Sequence, residues 1–212
     1  MPRPRVYEPD RLLDAVESLA VASGPAAVTI RAISAAVGVS NGALYHTFGS
    51  RSGLMARAWL RAGHRFLSVQ DTLVEQALAE PGRRAAVAAV VAAADAPAVF
   101  AEQYPDSSKL LLTVRREELL DSDLPDEIAT ELSDLDQLLV GLMIRLAVNL
   151  WDRKDVRAVD AITTCIVDLP TAILLRRDRL ANRTAREHLR ASVRAVLDVG
   201  PPPLQEGNKR GN

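Results

Sequence analysis

Apolar residues recur at intervals of three and four positions through most of the chain. Leu12, Leu13, Val16, Leu19 and Ala20 follow this spacing near the N-terminus, and a second run of leucines from Leu132 to Leu146 repeats it. This is the period of one face of an α-helix. Strict alternation of apolar and polar residues, which would predict a half-buried strand, does not occur. The pattern therefore predicts an all-α protein.

Cap and turn residues divide the first fifty positions into short helices. Pro9 suits the first turn of a helix, and the Gly-Pro pair at 24–25 ends that helix. Thr29, Ser40 and Ser50 are predicted N-caps of the next three helices, the first two with a hydrophobic staple pair around them. Gly38 can adopt the left-handed conformation that a tight turn between two helices needs. The sequence thus predicts two short helices joined by a tight turn.

Beyond this region the same spacing predicts further helices. They are expected at 85–100, 107–120, from Pro125 onward, at 156–180 with a kink at Pro170, and from a cap at Thr184. Residues 200–212 have the composition of a disordered tail. We therefore predict a three-helix helix-turn-helix domain at 1–65, a helical ligand-binding and dimerisation domain at 66–199, and a tail at 200–212.

Composition limits the chemistry. The chain is 48% hydrophobic but 4% aromatic, so the core is expected to be aliphatic. The single cysteine, Cys165, forms no internal disulfide, and no cluster with metal-ligand spacing occurs. Phosphate-binding loops, nucleophile elbows and the HExxH motif are absent from the sequence. We predict no metal, no cofactor and no enzymatic activity. A helical enzyme with a buried Ser-His pair and a helical adaptor protein are the alternatives.

The N-terminal residues carry no apolar signal segment, and the most apolar stretch is interrupted by Asp95 and Pro97. These features predict a cytoplasmic protein with no membrane partner.

Charge is distributed unevenly along the chain. Residues 1–65 hold eight arginines against four carboxylates, and no Asp or Glu occurs between Glu17 and Asp71, although the chain has 27 carboxylates. A surface that approaches phosphates must avoid carboxylates. Random fluctuation of composition is the alternative explanation. The gap favours a nucleic-acid-binding segment.

Residues 29–51, TIRAISAAVGVSNGALYHTFGSR, have the features of a helix-turn-helix. If Leu44 points inward, the helical period places Gly42 and His46 on the exposed side. Small side chains at Gly42 and Ala43 allow the backbone to approach base edges, Asn41 can pair with adenine, and the Ala43 methyl can meet a thymine methyl. Tyr45 could either pack or direct its hydroxyl to a phosphate.

This segment resembles the DNA-binding domain of the tetracycline-repressor (TetR) family of bacterial regulators. The matching residues are Thr29-Ile30-Arg31, Val37-Gly38-Val39-Ser40 and the run from Gly42 to Phe48. The family often has a basic residue or proline where Asn41 stands, and usually lysine where Arg51 stands. Together with the helix starts, the resemblance implies DNA contacts from Thr29, Arg31, Ser40, Asn41, Gly42, Ala43, Tyr45, His46 and Arg51.

The resemblance covers about a third of the chain and further implies a homodimer on a palindromic operator in double-stranded DNA. Repression is the family's usual action, and activation is the alternative. The last two helices are expected to pack against a second copy. The predicted interface residues are Ile162, Ile166, Leu169, Ile173, Leu189, Val193 and Val196.

The family also implies a small-molecule ligand held by the middle helices. The alanine-rich helix at 85–100 leaves space for a cavity, whose apolar lining would suit a lipophilic molecule. The alternative is that the same side chains simply fill the core. The predicted lining residues are Phe100, Tyr104, Leu111, Leu135, Leu139, Met143 and Trp151.

Overall fold

The computed structural model describes residues 9–115, 119 and 124–204, and all regular secondary structure in these residues is helical. The all-α prediction is therefore confirmed. The helices are α1 (Pro9–Ser23), α2 (Ile30–Val37), α3 (Asn41–Phe48), α4 (Arg51–Ala77), α5 (Arg83–Gln103), α6 (Pro105–Thr113), α7 (Asp126–Trp151), α8 (Val156–Thr163, continued by wider turns) and α9 (Arg183–Val199).

The N-terminal helices begin and end where cap chemistry predicts. The Thr29 side chain accepts a hydrogen bond from the backbone N–H of Ala32, and that of Ser40 from Ala43. Gly38 ends α2 with φ 71° and ψ 27°, a left-handed conformation that glycine adopts without steric cost. The apolar residues Val28, Ile33 and Leu44 are buried in the core of this region.

Three of the later helices start elsewhere than predicted, and the first of them, expected at 85–100, spans Arg83–Gln103. The helix expected at 107–120 begins at Pro105, a residue suited to a first turn, and it ends at Thr113 because Val114 is extended. Residues 116–118 and 120 lie outside the described residues. The last helix is capped by Asn182 rather than Thr184, since the Asn182 side chain accepts from Ala185 at 2.9 Å. Both residue types are good caps, and the sequence alone did not distinguish them.

Helix α8 changes its hydrogen bonding around Pro170. Wider turns at Thr164–Asp168 and Thr171–Leu175 flank the proline, and bonds run to the fifth preceding residue, as from Leu169 to Thr164. The predicted irregularity is therefore a change to π-helical turns. The helix stops at Leu175 rather than 180, and Asp178 then takes a left-handed conformation, with φ 49°.

The chain divides into two compact units. The first falls within Met1–Gln70 and Ala96–Leu139, and the second within Asp71–Asp95 and Val140–Asn212. Helices α4, α5 and α7 contribute residues to both units, so the units do not coincide with the domain ranges predicted from the sequence. The predicted boundary at residue 65 remains a prediction about function. Residues 205–212, part of the predicted tail, lie outside the described residues.

Each unit has its own packing. In the first, α4 approaches α7 so closely that a side chain at Gly63 would meet Leu135 at 2.9 Å. In the second, α5 and α9 are joined by Asp95, which bonds Arg186 and Arg190, while Arg145 of α7 pairs with Asp71 and Glu75 of α4. By length and composition, Arg83–Gln103 and Val156–Leu175 could each cross a membrane, a property shared by core helices of soluble proteins.

Candidate DNA-binding surface

The turn between α2 and α3 is held by a small set of hydrogen bonds. The Ser34 hydroxyl donates to the carbonyl of Val39 at 2.5 Å, and the Gly38 N–H donates to the carbonyl of Ser34 at 2.9 Å. Leu44 and Phe48 anchor α3 from its inner face, where both are buried. The outer face of α3 is therefore presented in one fixed orientation.

All nine residues predicted to contact DNA are exposed. Tyr45 keeps 56% of its surface accessible, so packing in the core is not its role. A side chain built at Gly42 meets no atom of the protein within 4 Å, so packing within this chain does not require glycine there. Asn41, Gly42 and Ala43 form the exposed first turn of α3, a helix short enough to enter a major groove.

The caps leave donors for phosphate at the helix starts. The oxygens of Thr29, Ser40 and Ser50 accept from backbone N–H groups at 3.1, 3.2 and 3.0 Å. A hydroxyl that accepts one bond still has its own O–H to donate. Each of these sites can therefore donate to a phosphate oxygen without losing the cap.

Arg51 has a structural role that the sequence did not reveal. Its guanidinium donates to the backbone carbonyls of Val28, at 2.6 Å, and Pro25. The side chain thereby fastens the segment before α2 to the start of α4. Arg51 remains exposed, so the predicted phosphate contact is still open to it.

Several arginines that suggested a basic surface are engaged inside the first unit. Arg61 pairs with Glu17 at 2.6 Å and Asp14 at 2.8 Å, and Arg57 lies 3.6 Å from Glu127. Burial lowers the pKa of Arg61, but Glu17, Asp14 and Asp10 together outweigh this effect and raise it. The number of arginines counted from the sequence therefore overstates how many are available to contact phosphates.

A buried polar network that the sequence analysis missed joins α1 to α6. Glu17, 3% exposed, accepts from the Ser107 hydroxyl at 2.5 Å, and the Ser18 hydroxyl donates to Asp106 at 2.7 Å. Arg65 lies 5.2 Å from the centre of the Tyr104 ring and donates to Ser107. The signal was available, because Glu17 lies four residues after Leu13 and three before Ala20, on the apolar face of α1.

The predicted ligand-lining residues are divided between the two units. Phe100 and Tyr104 have ring centres 5.6 Å apart in the first unit, where Leu111, Leu135 and Leu139 also lie. In the second unit, the Met143 sulfur is 3.4 Å from the Thr163 hydroxyl, and Trp151 lines a separate surface cavity. Alanines of α5 such as Ala89 and Ala93 are fully buried, which favours the close-packing alternative.

The predicted dimer residues fall into two groups. Ile162, Ile166, Leu189 and Val193 are buried within one chain and offer no surface to a second copy, so these four are corrected to core residues. Helical spacing marks an apolar stripe without saying which helix covers it, and the stripe is covered by the chain itself. Leu169, Ile173 and Val196 are half-buried and keep accessible surface.

Comparison with known proteins supports the resemblance found in the sequence. Residues 12–58 match the family model of the bacterial regulatory proteins, tetR family. No curated protein matches the sequence. Among solved structures, a tetR-family regulatory protein from Rhodococcus RHA1 is similar, with a TM-score of 0.62 and 18% identity over 92% of this chain and 98% of that one.

Two further structures share the fold. The regulator PfmR from Thermus thermophilus has a TM-score of 0.57 and 21% identity, over 89% of this chain and 98% of its own. The ketosteroid transcriptional regulator KstR2 of Mycobacterium tuberculosis has a TM-score of 0.59 and 16% identity, over 93% and 97%.

An all-α chain with a capped helix-turn-helix and an exposed second helix belongs to the class of helix-turn-helix DNA-binding proteins. The match of residues 12–58 narrows this class: the N-terminal helices match the DNA-binding domain of the TetR family, and the chain shares the fold of tetR-family structures.

Proposed function

We propose that this regulator binds a palindromic operator as a homodimer and acts in the cytoplasm as a repressor, without enzymatic activity. The observation that carries the proposal is the exposed face of α3, where Gly42 faces open space. The predicted contact residues on this helix are all accessible: Asn41, Gly42, Ala43, Tyr45 and His46. Activation through the same operator is the alternative sign of action.

Base and phosphate contacts are assigned to different residues. Asn41, Gly42 and Ala43 would read base edges, because they occupy the exposed first turn of α3. The remaining predicted contacts, at helix starts or on longer side chains, would bind phosphates and fix the register without reading sequence. These are Thr29, Arg31, Ser40, Tyr45, His46 and Arg51.

The dimer is supported by the surface of α8. The segment Val156–Leu175 is strongly apolar, yet only a third of its most apolar window is buried within one chain. A second copy that covers this face would remove apolar surface from water. A two-fold dimer would also present two copies of α3 to the two halves of a palindrome.

A small, lipophilic ligand is the proposed signal. Two structurally similar proteins are named as a ketosteroid regulator and a fatty acid degradation regulator, which is consistent with an apolar ligand here. Such a ligand would act by binding the state with unsuitably spaced recognition helices more tightly than the DNA-competent state.

The operator assignment is tested by selecting bound fragments from the protein's own genome. We expect enriched fragments to share an inverted repeat, and candidate lipophilic ligands to release them. Fragments without an inverted repeat would contradict the dimeric mode of binding. Release by no apolar candidate, with no rise in melting temperature, would contradict the ligand response alone.

A further inference from the structure

Two surface cavities of the second unit share one arginine. The larger, about 870 Å³, is formed by the α4–α5 connection and the end of α7, and it includes Leu78, Arg83 and Trp151. The smaller, about 630 Å³, lies between the start of α5 and α9, where Arg83, Arg84 and Arg194 surround Val87 and Ala88. Arg83 lines both cavities. Both volumes fall in the range of small-molecule sites.

The smaller cavity is cationic, and no carboxylate lines it. Asp95 bonds Arg186 and Arg190, and Glu187 pairs with Arg183, whereas Asp198, four residues after Arg194 on α9, lies outside the lining of this cavity. Over the described part of the chain, none of the three cavity arginines forms an ion pair. Arg194 donates only to the backbone carbonyl of Arg190, at 3.4 Å.

Arg83, Arg84 and Arg194 are all exposed, so solvent weakens their mutual repulsion without removing it. Arg83 and Arg84 occupy the first turn of α5, where the helix dipole is already positive and cations are disfavoured. Arg194, from another helix, adds a third like charge at the same cavity, and like charges repel. An anion placed among them would reduce both repulsions, and guanidinium groups bind oxyanions with paired N–H donors.

The larger cavity supplies an aromatic surface. Trp151 lines this cavity together with Leu78 and Val148, and the following residue, Asp152, has φ 52°. The Asp152 N–H donates to the carbonyl of Val148 at 2.8 Å, so this left-handed residue terminates α7. Glu80 and Asp152 line only this cavity. The charges are therefore segregated, and an anionic group would be directed to the smaller cavity.

We propose that the adjoining cavities bind a small aromatic anion. Its ring packs against Trp151, and its carboxylate, sulfonate or phosphate group lies between Arg84 and Arg194, with Arg83 at the junction. Of the ligand-lining residues predicted from the sequence, Trp151 alone belongs to this site. This proposal does not depend on operator binding. It also does not depend on whether the bound anion changes the affinity for DNA.

Calorimetric titration of the full chain with 2-naphthoate and neutral 2-naphthol tests the proposal. We expect naphthoate to bind more tightly than naphthol. Added salt should weaken the binding of naphthoate but not that of naphthol. Arg84→Gln and Arg194→Gln should each weaken the affinity for naphthoate about tenfold, because each removes one charge-assisted hydrogen bond. Arg177→Gln, an exposed arginine elsewhere, is the matched control and should change nothing.

Trp151 tests the aromatic half of the site. Trp151→Leu should weaken both probes, and Trp151→Phe should restore most of the binding because it keeps a ring. If Trp151→Leu is unfolded, the surface arginine variants and Trp151→Phe decide the question. Equal affinity for both probes, or no effect of the Arg84 and Arg194 variants, would overturn the proposal. Competition by operator-free duplex DNA, abolished by those variants, would also overturn it and assign the arginines to nucleic acid.

Discussion

At the scale of single residues, two glycines of the helix-turn-helix have different reasons to be glycine. Gly38 has φ 71° and forms the left-handed turn, so its glycine is required by the backbone. Gly42 lies within a regular helix with open space in front of it, so neither backbone nor packing requires it. Close approach of another molecule is the remaining reason for the absence of a side chain there.

This contrast predicts opposite effects of the same substitution. Gly42→Ala should stabilise the fold by up to about 1 kcal/mol, because alanine is the better helix former, and should weaken operator binding. Gly38→Ala should destabilise the fold by about 1–2 kcal/mol, because alanine is strained at positive φ. Chemical denaturation and fluorescence anisotropy on operator DNA measure the two effects. Unchanged operator affinity of Gly42→Ala would remove Gly42 from the contact surface.

At the scale of helices, buried charged side chains connect particular pairs of helices. The apolar stripes alone do not specify which helices pack together. Glu17 joins α1 to α4 through Arg61 and to α6 through Ser107. Asp95 likewise joins α5 to α9 through two arginines. Each carboxylate lies on an otherwise apolar helix face, where only paired charge is tolerated.

Removal of the Glu17 charge should be strongly destabilising. Glu17→Gln removes the nearest carboxylate of Arg61, which still keeps Asp14 at 2.8 Å. An uncompensated buried charge costs about 3–5 kcal/mol, so the loss here should be at or below the lower end of that range. Glu187→Gln breaks the exposed pair with Arg183 and should cost less than about 1 kcal/mol. Urea denaturation of both variants checks the prediction, and equal losses of stability would contradict the structural role of Glu17.

The Asp95 cluster should make stability depend on pH in the acid range. Burial raises the pKa of Asp95, but hydrogen bonds and charges from Arg186 and Arg190 outweigh this effect and lower it below 3.8. A lowered pKa in the folded state contributes stability that is present above the unfolded value and is lost as pH falls through the folded value. The stability difference between wild type and Asp95→Asn should therefore be constant above about pH 5 and shrink below pH 3.8. A difference that persists unchanged at lower pH would contradict the lowered pKa.

At the scale of the whole molecule, the sequence predicted most of the helix-turn-helix and less of the packing among the later helices. Thr29, Gly38 and Ser40 act within a few residues, so local chemistry alone located α2 and α3. The partner of an apolar stripe depends on tertiary packing, which explains why Ile162 and Val193 were assigned to a dimer and are core residues. The network around Glu17 joins positions about ninety residues apart, a separation that helical spacing cannot reveal.

Because part of the predicted dimer interface is buried in the core, the dimer is tested at its residues that keep accessible surface. Ile173→Asp with Val196→Asp should give folded monomers, because both residues keep accessible surface within one chain. Ile166→Asp should instead unfold the protein, because Ile166 is buried. Sedimentation together with circular dichroism distinguishes the two outcomes. A folded dimer in the Ile173/Val196 double variant would place the interface elsewhere.

Operator binding by α3 is the central claim, and a titration of operator variants tests it most directly. Fragments selected from the protein's genome provide the operator, and fluorescence anisotropy measures wild type, Tyr45→Ala and Asn41→Ala on it and on single-base variants. Tyr45→Ala should weaken all sequences alike, whereas Asn41→Ala should change the preferred half-site by about 1–3 kcal/mol, the value of a bidentate base contact. Unchanged affinity and unchanged preference in both variants would contradict the assignment of α3 as the recognition helix.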